Sequence, residues 1–305
     1  VTYYLLRRLL EMLGALLAMS LIVFVLSRAL GDPVSLMLSD YATEADREAM
    51  RVELGLDRSL TAQYLRFIGN ALKGDLGNSV AGAREPVIEI IMTRLPASLQ
   101  LSAAALALSL IVGIPLGVAS AARHGTWIDT AARTLALLGQ AIPVFWLGIV
   151  LIFVFSVQLR WLPTSGYGSA GHFVLPVVTM ALFTIAAVTR LTRISMLEAL
   201  DSEYVRLARM KGLSEATVVW KHALSNSLVP VLTYMGAFFA TMVTGAVVIE
   251  TVFGWPGIGR LAYEAIIDRN YPLMQAVVLV MTTLFMLANM AVDLLHTWLD
   301  PRIAR

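Results

Sequence analysis

Six apolar runs, each near the length needed to cross a bilayer, constrain this chain more than any other feature. They are centred on Met12 to Leu26, Leu99 to Ala121, Leu135 to Val157, Val174 to Val188, Leu228 to Ile249 and Leu273 to Leu295. A hydrocarbon core about 30 Å thick is crossed by about 20 such residues as a helix, which satisfies its own backbone polar groups. The runs predict an all-α polytopic membrane protein with about six transmembrane helices, the fourth run being the shortest. Only 14% of the 305 residues are charged and 58% are hydrophobic, against roughly 25% charged in soluble domains. A net charge of +2 gives no reason to expect a nucleic-acid partner, which needs basic residues gathered on one face. The absence of cysteine removes disulfides, thiolate metal sites and cysteine nucleophiles together.

The first run follows Arg7 and Arg8 and has the outline of a secretory signal. Its apolar stretch exceeds the usual signal core and no small-x-small cleavage site follows, so it reads as a retained anchor. An even number of spans puts both termini on one side. Arg7, Arg8, Arg123, Arg133, Arg190, Arg193, Arg206, Arg209, Lys211, Lys221, Arg302 and Arg305 then fall on the side of the termini, and the short opposite loops hold Arg160, Arg260 and Arg269. By the positive-inside rule both termini are expected in the cytoplasm. Three regions follow: an N-terminal span over 1–30, an extracytoplasmic helical region over 31–94, and a membrane core over 95–305 whose cytoplasmic loop covers 198–226. Within 31–94, Thr43 and Asp46 have capping-box spacing ahead of a helix that stops at Gly55. Leu60, Tyr64, Phe67, Ile68 and Leu72 share a helical face, and Pro86 opens a third short helix with Val87, Ile90, Ile91 and Leu95 on its apolar side.

Few residues offer chemistry. The four histidines, His124, His172, His222 and His296, all fall in loops or at span ends. None belongs to an H-e-x-x-H type pattern, and no phosphate-cradling G-x-x-x-x-G-K-[ST] loop occurs, so ATP-driven work needs another subunit. Gln140, Asn289 and Asp293 are polar groups within or near spans, and serve equally as interhelical contacts. Thr233, Tyr234, Thr241 and Thr244 in the fifth span have a spacing that can line a pathway with hydroxyls, although threonine is also common at packed helix contacts. Gly113, Pro115, Gly117, Pro143, Pro176, Pro230 and Gly236 lie inside spans and point first to kinks and close packing. The segment 250–272 holds Phe253, Trp255, Pro256 and glycines, which stop a helix while staying apolar. Two readings stand side by side: an outer gate of Phe253, Trp255 and Ile258 that dips inward, or a headgroup-level loop anchored by Trp255.

The segment from Glu198 to Asn226 is too polar to span. Its propensity predicts a helix from Glu198 to Lys211, a break at Gly212, and a second helix capped by Ser214 that runs into the fifth span. By itself this is a protruding helical hairpin. Ala208 followed three residues on by Gly212 resembles the A-x-x-x-G core of the EAA loop in permeases of bacterial ABC importers. YVRLARMKGLS at Tyr204 to Ser214 and the KHALSNSLVP that follows are similar to the dipeptide, oligopeptide and nickel permease family. GDPV at Gly31, LGLDRSL at Leu54, GDLGNS at Gly74, RLPASLQL at Arg94, GIPLGV at Gly113, ETVFGWPGIGRL at Glu250, RNYPLMQ at Arg269 and the closing LDPRI extend the likeness along nearly the whole chain. The likeness is strongest to the first of the two permeases in such systems. Arg206 stands where the general loop pattern has Glu, which removes any contact inferred from that Glu.

The resemblance implies a type I ABC importer permease fold in the bacterial inner membrane. It further implies a second homologous permease, two cytoplasmic ATPase subunits that hold ATP and Mg, and an extracytoplasmic solute-binding protein. This chain would be a translocation subunit without catalysis or a cofactor of its own. Glu203, Tyr204, Arg206, Ala208, Arg209, Lys211 and Gly212 would dock the ATPase, and the cargo would be dipeptides or oligopeptides. The alternative cargo is nickel or another small solute. A stand-alone secondary transporter is disfavoured by the shortage of ionisable groups in mid-span.

Overall fold

A computed structural model describes residues 2–29, 34, 43–80 and 85–299. GDPV, apart from Val34, and the LDPRI residues after Leu299 lie outside them, as do Arg302 and Arg305 and the side chain of Asp293. The helices in chain order are α1 (Thr2–Ala29), α2 (Glu44–Leu54), α3 (Leu60–Ala71), α4 (Val87–Ala122), α5 (Trp127–Ala141) and α6 (Val144–Gln158). They continue with α7 (Ala170–Leu200), α8 (Glu203–Met210), α9 (Glu215–Gly245), α10 (Val247–Val252), α11 (Ile258–Ile267) and α12 (Tyr271–Leu299). Among the described residues, five stretches are each long and apolar enough to cross a bilayer: Leu6–Arg28, α4, α7, α9 and Tyr271–Val292.

The third predicted span, Leu135 to Val157, is a broken one. α5 and α6 meet at 98°, a far sharper turn than a kinked single helix. Pro143 offers no N–H and disfavours helical geometry in the residue before it, and Ile142 accordingly sits in extended backbone. The fourth span is longer than its apolar run, because α7 carries on past Val188 for three more turns to Leu200. Pro176 lies within α7 without interrupting it.

The chain packs as two units. The first comprises residues 1–97 and 256–287. α2 has the predicted capping box, with Thr43 and Asp46 bonding reciprocally, and ends on Gly55 in left-handed geometry at φ 69°. α3 lies against α1: the Phe24 ring meets Tyr64 edge-on at 5.3 Å, and the Ser20 and Tyr64 hydroxyls bond at 2.8 Å. Leu60 and Leu72, predicted to share a face with Tyr64, are exposed at the two ends of α3. The third predicted short helix is the beginning of α4, which runs unbroken through Pro96 and Pro115. Val87 and Ile91 at its start are sealed against Ile258, Leu261 and Ala265 of α11 and the first turns of α12.

The second unit comprises residues 98–255 and 288–305. α4 and α7 approach closely because Gly113 and Gly117 have no side chains. A Cβ on Gly117 would lie 2.5 Å from the Thr192 Cβ, and one on Gly113 would lie 2.7 Å from a Val188 methyl. Small residues four apart are the usual means by which membrane helices bring their backbones together. Gly139 of α5 faces Ala186 of α7 in the same way, and Gly236 of α9 faces Val292 of α12. The packing reading of these glycines therefore describes the structure.

Candidate functional site

The predicted helix from Glu198 to Lys211 is two helices. α7 ends at Leu200, Ser202 takes extended backbone, and α8 starts at Glu203. The Ser202 hydroxyl donates to the Ala199 carbonyl, so the serine finishes one helix while standing at the N-cap of the next. After Met210 the chain turns at Gly212, whose φ of 76° is left-handed. The Gly212 N–H donates to the Arg209 carbonyl and the Leu213 N–H to that of Ala208, the pairing of a glycine-terminated helix end. Ser214 caps α9 by accepting from the Thr217 N–H at 3.4 Å.

α8 is strongly two-faced. Val205 and Ala208 point inward and join Val118, Ala121, Met196, Val218 and Ala223 in one buried cluster. Ala208 is thus small because it packs within this chain. The opposite face carries Tyr204, Leu207 and Met210, exposed by 41%, 48% and 77%, and Leu213 continues it beyond the turn. This exposed apolar strip escaped the sequence reading, which attended to charges. Its trace was there, since Leu207 and Met210 are spaced at i,i+3 away from the Val205 and Ala208 face.

Charge pairs frame the strip. Arg206 reaches both Asp201 and Glu203 at 3.0 Å, and Arg209 grips Glu215 through Nη2 at 2.7 Å and Nε at 3.2 Å. The Glu215 carboxylate raises the Arg209 guanidinium further above its ordinary value. Such exposed pairs are worth roughly 0–1 kcal/mol, and they order the hairpin more than they stabilise it. Glu203, Tyr204, Arg206, Arg209, Lys211 and Gly212 are brought onto one projecting surface, whereas Ala208 lies beneath it.

The expected gate residues are buried. Trp255 is fully enclosed between Tyr167 and Phe173, each edge-to-face at 4.8 and 4.6 Å. Phe253 is covered as well, its ring 3.2 Å from where a Gly148 Cβ would be. Gly166 donates its N–H to the Phe253 carbonyl at 3.0 Å, Tyr167 donates to Gln100 at 2.7 Å, and Ser98 donates to the buried Glu250 carboxylate at 2.5 Å. A tryptophan so enclosed is not available as a headgroup anchor. The expectation of a loop without helix over the rest of 250–272 is corrected: after the turn at Gly254, α11 starts at Ile258, whose side chain is buried in the first unit.

The four hydroxyl positions of α9 do not form one line. Tyr234 and Thr241 share an exposed strip, while Thr233 and Thr244 are half-buried about a quarter-turn away. Thr244 bonds back to the Ala240 carbonyl at 3.1 Å, and Tyr234 stacks on Phe238 at 5.8 Å. Gln140, near the end of α5, lines a small cavity with three arginines.

Comparison with known proteins fits this geometry. Residues 113–305 match the family described as binding-protein-dependent transport system inner membrane component, and residues 1–102 match the N-terminal family of the same components. A probable peptide ABC transporter permease of Sinorhizobium fredii is 40% identical, with 98% of each chain covered. An oligopeptide transport system permease of Bacillus subtilis is 38% identical and a glutathione transport system permease of Pectobacterium atrosepticum is 40% identical, again over 98% of each chain. Among solved structures, the inward-facing MetNI methionine ABC transporter aligns with a TM-score of 0.59 at 20% identity, covering 71% of this chain and 99% of that one. An amino acid ABC transporter aligns at 0.55 and 16%, covering 68% and 93%. Both show the fold.

Proposed function

Since the chain belongs to the family of binding-protein-dependent transport system inner membrane components, we propose that it imports peptides by enclosing a pathway with a second, similar permease. It is a multi-pass inner-membrane permease and the non-catalytic membrane component of an ABC importer. Two ATPase subunits bind ATP and Mg on the cytoplasmic side, and an extracytoplasmic binding protein delivers the cargo. Both termini face the cytoplasm, as the arginine distribution supports. The peptide class is supported by relatives near 40% identity over the full length, named for peptides, oligopeptides and glutathione.

The observation that carries the coupling role is the projecting hairpin of α8, Gly212 and Ser214. It exposes Tyr204, Leu207, Met210 and Leu213 while its inner face is fastened to α4, α7 and α9. A motor subunit that takes hold of the strip pulls on three spans together, and packed helices respond by shifting between discrete arrangements. The strip of Tyr234 and Thr241 faces the pathway, and Phe253 and Trp255 hold its outer end closed.

Reconstitution of the whole importer in liposomes tests this reading. ATP-dependent uptake of a labelled oligopeptide is expected, together with no uptake by this chain alone under a proton or sodium gradient. Gradient-driven uptake by the chain alone would overturn the importer mechanism, and an importer that moves nickel but no peptide would overturn the cargo.

A further inference from the structure

Within a bilayer, helices have no hydrophobic reason to stay together, because acyl chains are as apolar as leucine. α5, half of the broken span, is held by little packing. Leu135, Leu137 and Leu138 are each more than half exposed, and the buried residues among its fifteen are Asp129, Ala132 and Gly139. Ala132 and Gly139 give close approach but little area, as where Gly139 meets Ala186 of α7. Asp129 is the buried residue of α5 that can hold on.

It reaches α4, α7 and the turn that joins α4 to α5. The carboxylate, 1% exposed, accepts from Arg193 Nε at 2.7 Å and Nη2 at 3.0 Å, from the Ser120 hydroxyl at 2.7 Å and from the Gly125 N–H at 3.1 Å. A bidentate guanidinium and two further donors meet the condition under which a buried pair offsets its desolvation. Arg133, a turn further along α5, stands 3.5 Å away, so it joins α5 only to itself. The partners in the other helices sit at the root of the hairpin. Arg193 lies one turn before Met196 on α7, and Ser120 lies between Val118 and Ala121 on α4. Met196, Val118 and Ala121 belong to the cluster that seats Val205 and Ala208 of α8. At its other end α5 meets the 98° bend into α6, whose Gly148 lies against Phe253.

We propose that Asp129 and Arg193 are positioning residues for transport: their pair makes α5 travel with α4 and α7 when the hairpin moves, and so carries the motor's displacement to the bend and to α6. This rests on the coupling role assigned to the hairpin. A pair that only stabilised the fold would differ in what a substitute link can restore.

The importer reconstituted in liposomes, with its motors and a peptide-loaded binding protein, supplies the test, read as peptide taken up per ATP hydrolysed. Asp129→Asn with Arg193→Gln removes the pair without stranding a buried charge. Motor binding and hydrolysis are expected to persist, with uptake per ATP lower by roughly tenfold, a usual size for coupling between sites. A disulfide between α5 and α7 can replace the pair. The chain has no cysteine, and a Cβ on Gly139 would lie 3.2 Å from that of Ala186, slightly closer than the roughly 3.5–4.5 Å of a disulfide. Adding Gly139→Cys and Ala186→Cys to the pair variant is expected to restore uptake per ATP when oxidised and to lose it again when reduced. With the pair intact, the same disulfide is expected to leave transport unchanged, because α5 and α7 move together. The proposal is overturned if the pair variant keeps wild-type uptake per ATP, if uptake and hydrolysis fall in proportion and the disulfide restores neither, or if the disulfide blocks transport with the pair intact. A pair variant that does not assemble even with the disulfide in place would show a folding role alone and overturn it as well. Failure of the hairpin reading looks different: the motors would bind Leu207→Asp with Met210→Asp as they bind wild type, whatever the pair variants do, and the joint would fall with it.

Discussion

At Gly212 a single backbone angle separates two kinds of substitution. The space around its missing Cβ is empty, so crowding is no obstacle, but its φ of 76° is left-handed. An L-residue there costs roughly 1–2 kcal/mol, and asparagine is the side chain that tolerates it best while β-branched residues fare worst. Gly212→Val is expected to distort the hairpin and cut peptide-stimulated ATPase activity of the reconstituted importer several-fold, with Gly212→Asn close to wild type. Equal activity for both would show that the turn does not need this geometry. Ala208 behaves differently, because it is small for the sake of its own cluster with Val205, Met196 and Val218. A tryptophan there would displace α8 before any partner is met. The residue types at 208 and 212 were legible in the sequence. Which way Ala208 points was not, since that depends on α4, α7 and α9 arriving from distant parts of the chain.

Between elements, the α4–α7 contact is the tightest that the glycines reveal. Gly117→Val would force its branched carbon into Thr192 and the Thr189 carbonyl, the latter 2.8 Å from the position of a Cβ. Backbone cannot yield as a flexible side chain can, and overpacking of this kind typically costs about 1–3 kcal/mol or more. The expected result is a lower melting temperature of the purified chain in detergent, whereas Gly14→Val on α1, with nothing within 4 Å, leaves it unchanged. Equal melting temperatures for the two variants would refute the close approach. The apolar runs made the helices legible, and the GIPLG spacing made their close packing legible. Three features escaped because they are set by balance rather than by pattern. Pro143 announced a kink, but the 98° bend depends on what α5 and α6 each pack against. The stop at Ser202 is a contest between helix propensity and a serine that bonds the preceding turn. α11 starts only two residues after Pro256, and Ile258 and Leu261 make it a helix by burying themselves against Val87 and Ile91, remote in sequence.

For the whole molecule the question is where force enters. The hairpin has two candidate grips: its charges, and the apolar strip of Tyr204, Leu207, Met210 and Leu213. The charges are largely consumed within the chain, Arg206 by Asp201 and Glu203 and Arg209 by Glu215. Exposed ion pairs made anew with a partner would in any case contribute roughly 0.2–1 kcal/mol each. A Leu or Met side chain fully buried in a partner's groove contributes about 1.5–3 kcal/mol. Under the docking proposed above the strip is therefore the stronger grip, and Leu207→Asp with Met210→Asp is expected to abolish co-purification of the ATPase subunits. Lys211→Ala is expected to leave it nearly intact. Neither change touches Val205, Ala208 or a membrane span, and insertion depends mainly on apolar spans and their flanking charges, so the variants should reach the membrane at wild-type levels. Quantitative pull-down of the ATPase from membranes, normalised to the amount of this chain, makes the comparison. If the double aspartate variant binds the motor as wild type does while Lys211→Ala releases it, the coupling runs through charge and the apolar strip has another purpose.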